Sequence, residues 1–547
     1  MSLSPHDKLI RDLTKYITAI VSETNGITLM DTIDLLLSSD MKEKNNSCFQ
    51  AVSEFRKLLN DFELDLIKIN TLLDHIFSKA MFEFFKHFPI KFNEEHIHLT
   101  GSLTSEFIYP RLMKLLDGPN KKIYERKIKE VYGDDALPIR KSQDVENLIA
   151  LREGEGFDTY LKVLYLAKLI LIDREAHKES AYHMAHELYH KYNIGKIRLK
   201  FTLSRASSNS SEQIPGADDV SSEDVILGLY DGFMSFKKER PDFEFILSPS
   251  FRKESNSFDS SKFTSRQEHF LDQVNTLVSM LERYPDLEKC MTDVDTVGSE
   301  MELYRKEHFN EMRAGFRKLQ YRGFKIRSHH GETWHTLKKG IQAVDNAMNI
   351  WHIDTLEHGI SLGINPNFYF HRIFQRVIEK NKKQEAIIIG SEIYKELLDL
   401  DWGGNRSVCD KLLRGAQLTE KETTLFLKAK FHTAREVEHY QHDVLNRMID
   451  KGVSLIALPS SNNKLTGKFQ DYKDHPFSWW EKKNVSLGVG TDNYVTLNTN
   501  YLKELLILLY TDSKNLKITK LLMVATGESR RPYISHLMWK MRKLSFI

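Results

Sequence analysis

Residues 324–359 read FKIRSHHGETWHTLKKGIQAVDNAMNIWHIDTLEHG. A short apolar run ends on His329-His330-Gly331-Glu332, a helix-like stretch follows, and a second short run ends on Leu356-Glu357-His358-Gly359. Strand, helix, strand is the pattern of two parallel neighbours joined by a crossover. The same alternation extends outward in both directions. Upstream lie EEHIHL (94–99), KIRLKFTLSR (196–205), FEFILSPSFR (243–252) and KCMTDVDTVG (289–298). Downstream lie VSLIALPSS (453–461) and NVSLGVGTD (484–492). Each strand but the last is followed by helix-like sequence. Eight such units predict an α/β chain folded as a (β/α)8 TIM barrel, with its working groups at the C-terminal ends of the strands.

The barrel leaves three regions over. Residues 1–90 read as amphipathic helices, for example DKLIRDLTKYITAIV, and carry no recognisable chemistry. The expected division is therefore a helical extension at 1–90 and a barrel at 91–547. Within the barrel a long helical stretch separates strands 1 and 2. A second helical insertion, at about 362–448, separates strands 6 and 7 and leaves from the catalytic face. A lid or a contact between copies in a homo-oligomer is expected there. The Ser-rich segments 204–224 and 249–266 read as loops over the same face.

Composition bounds the function. The 547 residues carry 78 basic and 76 acidic side chains, a net charge of +2, so no stable coating of nucleic acid is expected. No apolar run of about 18 residues suggests a membrane span. Cys48, Cys290 and Cys409 are isolated, and no apolar leader core stands near the start; both fit a cytoplasmic protein.

The chemistry lies at strand ends. In His96-Ile97-His98 the period-two alternation puts both imidazoles on one face, where they can share a metal. His329 offers a third nitrogen. Gly331 permits a turn that brings Glu332 back over the same point, while alternation turns His330 away. His358 and Asp492 end two further strands. Together these groups suffice for one zinc ion, an acid and a base, which points to a metal-assisted hydrolase.

In this order the motifs resemble the adenosine/AMP deaminase family of zinc-dependent, amidohydrolase-type barrels. HIHLTGSL is similar to that family's HxHLxGS, DTVGSE (295–300) to its DxxGxE, HHGE to its HxGE, LEHG to its GHG, LPSSN (458–462) to its CPxSN, and TDN to its S/T-D-D. The likeness runs from about residue 90 to about 510 and leaves out the first 90 residues and the insertion after strand 6. It implies one Zn2+ per chain on His96, His98, His329 and Asp492. It implies His358 as the base for the attacking water and Glu332 as the acid at the purine ring nitrogen. Gly298 would meet the far edge of the purine. The helical additions also resemble those of deaminase-like effectors of bacterial antiphage systems, which suggests a partner protein and nucleotide-pool alteration.

Two departures, Thr100 and Asn493, bear on substrate. Thr100 stands where the nucleoside deaminases carry an Asp that accepts from the ribose 5′-hydroxyl, and a neutral hydroxyl would not repel a 5′-phosphate. Arg205, Arg252 and Lys253 lie at nearby strand ends and can pair with phosphate. Asn493 replaces an Asp that contacts purine N7; its amide donates at any pH. Glu357 replaces the first glycine of GHG. The expectation is deamination of an adenine nucleoside or nucleotide, with a 5′-phosphorylated substrate favoured. The alternatives are deamination of another aminated heterocycle, or a catalytically weak scaffold.

Overall fold

A computed structural model describes residues 4–528 apart from 25, 204–213, 215, 217–218 and 470. Arg205 and most of the segment 204–224 therefore lie outside the described residues. The eight strands are β1 (Phe92–His98), β2 (Ile194–Thr202), β3 (Glu244–Arg252), β4 (Asp293–Val297), β5 (Lys325–His330), β6 (Thr355–His358), β7 (Ser454–Ala457) and β8 (Leu487–Val489). They pair in sequence order, and every pairing is parallel. The barrel closes where the chemistry is. Ile97 bridges Asp492 in parallel, the His98 amide donates to the Asp492 carbonyl at 2.8 Å, and the Asp492 amide donates to the His96 carbonyl at 2.9 Å.

The strands have two differently used faces. On β2, Ile197 and Leu199 are fully buried toward the helices, while Arg198 and Lys200 alternate with them toward the barrel interior. On β5, Ile326 packs outward, and Arg327 and His329 share the inner side. Alternation with period two thus fills the centre with charge and the outer layer with hydrocarbon.

The outer layer is built from helices with ordinary start signals. Helix Ser222–Glu239 begins where Ser221 accepts from the Asp224 amide, and it buries Val225, Leu229, Phe233 and Phe236. Helix Arg174–Tyr192 packs along it and buries Ala181, Ala185 and Leu188. The long helix Glu420–Asp450 ends the insertion between β6 and β7. Thr419 and Glu422 cap it reciprocally.

The N-terminal helices, from Pro5–Glu23 to Ile76–Lys86, share one hydrophobic core with the barrel. The Ser78 hydroxyl meets the Tyr510 hydroxyl at 2.6 Å, and Phe55 packs against Tyr510. Among the described residues no helix is long and apolar enough to cross a membrane.

Candidate metal centre and active site

Three imidazoles from two strands converge at the top of the barrel. His96 and His98 end β1, and His329 lies near the end of β5. The Nε2 atoms of His96 and His98 stand 3.2 Å apart, and those of His98 and His329 3.4 Å. Asp492 Oδ1 lies 3.4 Å from His98 Nε2 and 3.8 Å from His96 Nε2. A tetrahedral zinc ion, bound at about 2.0–2.1 Å, needs donors about 3.3–3.4 Å apart. The printed separations among His96, His98, His329 and Asp492 lie near that spacing, and the donor types suit zinc. A second overlapping group, His96, His329 and His358, also brings its ligand atoms within 4.8 Å of one another. His358 thus belongs to a potential metal group, and it also faces the Glu332 carboxylate.

The tautomers are set from behind. His96 Nδ1 donates to Glu357 Oε2 at 2.8 Å, and His329 Nδ1 donates to Asp295 Oδ1 at 3.1 Å. Each carboxylate thereby leaves the Nε2 lone pair facing the centre. Burial, reinforced by the Lys200 charge, holds the pKa of His96 and His329 well below the usual range and lowers that of His98 to about 3. Neutral imidazoles are the form a metal needs.

Glu357 and Asp295 are themselves held by cations. Lys200 Nζ lies 2.9 Å from Glu357 and 3.0 Å from Asp295, and all three side chains are fully buried. Arg327 Nε donates to Glu357 at 2.6 Å. Arg198 bridges Asp293 and Glu95, and Arg327 also approaches Glu95 at 3.7 Å. In this network four carboxylates face three cations, so the floor of the site carries one net negative charge. Burial opposes ionisation of Glu357, but Arg327, Lys200 and His96 override it and hold its pKa well below normal.

His358 and Glu332 stand beside the imidazole cluster. His358 Nδ1 donates to Asn462 Oδ1 at 2.8 Å, and Asn462 Nδ2 donates to His475 Nε2 at 3.1 Å. That chain fixes the amide and leaves His358 Nε2 as a proton acceptor. Glu332 Oε2 lies 3.7 Å from it. Burial raises the pKa of Glu332 to about 7, with Lys253 pulling the other way. Asp492 is raised to about 6, again by burial. Its Oδ2 accepts from the Ser461 hydroxyl at 2.6 Å. His358 and Asp492 both have φ of 66°, a left-handed conformation that costs a non-glycine residue on the order of 1–3 kcal/mol. Both side chains are aimed inward by it.

The turn carrying Glu332 is clamped. The Glu300 carboxylate accepts from the amides of Gly331, Glu332 and Thr333 at 2.9, 2.7 and 2.6 Å. Gly331 sits at φ 69°, the tight turn expected of it. His330 points out of the site. It meets the Ser328 hydroxyl at 2.7 Å and packs against Phe309 and Trp351.

The expected substrate residues are distributed unevenly. Thr100 is half-buried in the turn after β1. Gly298 has φ 100°, and the Glu254 carboxylate occupies the space a Cβ would need. Arg252 is exposed but paired with Glu254 at 2.8 Å. Lys253 is buried and donates to the His329 carbonyl, below Glu332 rather than at the mouth. Asn493 spends both amide hydrogens inside the protein, on Asp492 Oδ1 at 2.6 Å and on the Tyr160 hydroxyl at 2.8 Å.

Sequence reasoning missed Lys200, Arg327 and Tyr160 as contributors, and gave Asp295 and Glu300 no role beyond their places in DTVGSE. The i, i+2 spacing of Arg198 with Lys200 and of Arg327 with His329 was the available signal.

No family model matches the chain, and no curated protein matches it in sequence. Among solved structures the chain is similar to an adenine deaminase from Arthrobacter aurescens, at 12% identity and TM-score 0.47, covering 83% of this chain and 99% of that one. It is also similar to the N6-methyl-AMP deaminase from Arabidopsis thaliana, at 13% identity and TM-score 0.48, covering 85% and 99%.

Proposed function

We propose that the chain is a zinc-dependent aminohydrolase. On this reading it converts an adenine nucleoside or nucleotide to the inosine form and releases ammonia, and 5′-phosphorylated substrates are favoured. The main support is one arrangement: the His96, His98 and His329 imidazoles and the Asp492 carboxylate gathered at one point, with Glu332 facing His358 Nε2 across 3.7 Å beside them. The choice of purine rests on the ordered motifs from His96 to Asn493.

A zinc ion on His96, His98, His329 and Asp492 would act as a Lewis acid that brings the pKa of water to about 7. The chain's own groups do the rest. His358, neutral and oriented by Asn462, takes a proton from the attacking water through Nε2. Glu332, kept partly protonated by burial near neutral pH, gives its proton to the ring nitrogen beside the amino-bearing carbon. That carbon becomes electron-poor, the water oxygen bonds to it, the C–N bond breaks as the amino group takes the proton held by His358 and leaves as ammonia, and the new hydroxyl returns a proton to Glu332 as the carbonyl forms. Each proton transfer typically contributes about 10²–10⁴-fold. Thr100 places no charge beside the 5′ group, and the exposed Arg252 guanidinium, paired with Glu254, is a candidate phosphate partner.

The test measures zinc content and ammonia release with adenosine, AMP, dAMP, ATP and dATP. One equivalent of zinc and release from at least one substrate are expected, with both lost in His96→Ala and Asp492→Ala. Full activity in thoroughly chelated protein defeats the proposal.

A further inference from the structure

The segment between β1 and β2 contributes a residue to the site that none of the motifs contains. Helix Phe157–Val163 carries Tyr160, which packs with Val163, Leu164, Leu465 and Leu497 in a small apolar cluster separate from the main core. The Leu151 amide donates to the Thr496 carbonyl at 2.9 Å and ties this segment to the loop after Asp492. Tyr160 is therefore built into the site wall rather than laid over it.

Its hydroxyl completes a chain of donors. A primary amide nitrogen carries two hydrogens, and a phenol carries one. Asn493 uses its two on Asp492 and on the Tyr160 oxygen. The opposite amide orientation would turn the Asn493 oxygen toward the Asp492 carboxylate, so the assignment is forced by charge. Asn493 is thus left with only an acceptor, its buried Oδ1, which has no partner among the described residues. Tyr160 is left with a donor. Its hydroxyl accepts from Asn493, and no described residue accepts its hydrogen in turn. That phenol stays protonated: burial, together with the nearby Asp492 and Glu332 carboxylates, raises its pKa well above normal.

We infer that Tyr160 is the specificity-determining donor of the site. Its hydroxyl, seated on Asn493, hydrogen-bonds a lone pair on the ring edge of the substrate that faces Asp492 and Asn493. This inference rests on the purine reading above and gives Tyr160 the part the sequence had suggested for Asn493. The ligand class it selects is an aza-heterocycle with an unprotonated ring nitrogen on that edge. For a purine whose other edge meets Glu332, that nitrogen is N7. An analogue with C–H at that place leaves the phenol unpaired in a buried setting, which the site disfavours.

The test pairs a residue change with an atom change. Dissociation constants are measured for IMP and 7-deaza-IMP, a product pair that is not turned over, on zinc-loaded wild type and Tyr160→Phe. Steady-state kinetics are run in parallel on AMP and 7-deaza-AMP. Wild type should prefer the N7 compounds by about three- to tenfold. Tyr160→Phe should abolish the preference by weakening the N7 compounds while leaving the deaza pair within about twofold. A preference that survives in Tyr160→Phe, or an equal loss for both compounds, overturns the inference and leaves Tyr160 a packing residue. The melting temperature of the variant identifies a folding failure, and Tyr160→His, which keeps a donor, should then restore part of the preference. If wild type neither binds IMP nor turns over AMP, the purine reading itself has failed, and the wild-type measurement alone shows it.

Discussion

Changing Glu357 to glutamine takes one negative charge from the barrel centre and leaves its shape almost unaltered. The wild-type carboxylate accepts three times, from His96 Nδ1, Lys200 Nζ and Arg327 Nε. An amide offers one acceptor and one donor group. Facing its oxygen toward the two cations turns its NH2 toward His96 Nδ1. That nitrogen must then accept, the imidazole proton moves to Nε2, and the lone pair aimed at the metal is lost. Loss of such an outer partner typically weakens metal binding about 10–100-fold, or about 1.4–2.7 kcal/mol. Stability falls too. Removing one member of a buried ion pair costs about 3–5 kcal/mol, and the low end applies because Lys200 keeps Asp295 and Arg327 keeps Glu95. Zinc affinity is measured by competition with a chromogenic chelator, and stability by urea unfolding of metal-free protein. Zinc affinity within twofold of wild type, alongside the expected loss of stability, would refute the argument that Glu357 sets the His96 tautomer.

Glu332→Gln should keep its zinc and its melting temperature but lose at least about a hundredfold in kcat, read by ammonia release, because an amide cannot give the proton. The wild-type rate should fall as pH rises through about 7, where Glu332 ionises, in a stopped-time pH profile. Glu396 is fully buried beneath Tyr369, and burial raises its pKa to about 7. Its folded pKa exceeds its unfolded one, so the stability it contributes is complete below about pH 4.5 and is lost as pH climbs through about 7, on the order of 3 kcal/mol at most. Urea midpoints from pH 5 to 8.5 should therefore decline less in Glu396→Gln than in wild type. Thr100→Asp should lower kcat/KM for AMP more than for adenosine, since it sets a like charge near the 5′ group; equal effects would remove Thr100 from the phosphate argument.

The barrel was legible because six of its eight strands end on a chemical signature as well as an apolar run. KIRLKFTLSR alone is an ambiguous segment; set between HIH and HHGE it becomes one of eight. The donor cluster was legible for the same reason, since His96, His98 and His329 occupy alternating or terminal strand positions whose direction follows from period two. What one strand cannot reveal is what stands across the barrel. Lys200 and Glu357 are 157 residues apart in sequence and 2.9 Å apart in space. Glu357 was visible only as a departure from glycine, with nothing local to say that it meets His96. Arg252 ends β3 exposed and Lys253, the next residue, is buried, so naming both as phosphate partners overlooked that consecutive extended residues face opposite sides. Tyr160 lay in a helical stretch whose docking against Asn493 no periodicity encodes.

The charged floor of the barrel also constrains how the chain can assemble. Its pairs cross from the first four strands to the last four: Lys200 on β2 with Glu357 on β6, Asp295 on β4 with His329 on β5, and Arg327 on β5 beside Glu95 on β1. A half-barrel of β1–β4 would bury Lys200 with only Asp295 and leave His96 without its carboxylate. The other half would bury Glu357 and Arg327 without Lys200 or Glu95. Neither half is a good resting state, because an unmatched charge in a closed interior is more costly than an exposed one. Closure of the barrel is thereby coupled to formation of the site, and a partly assembled chain keeps its centre open to water until β8 meets β1.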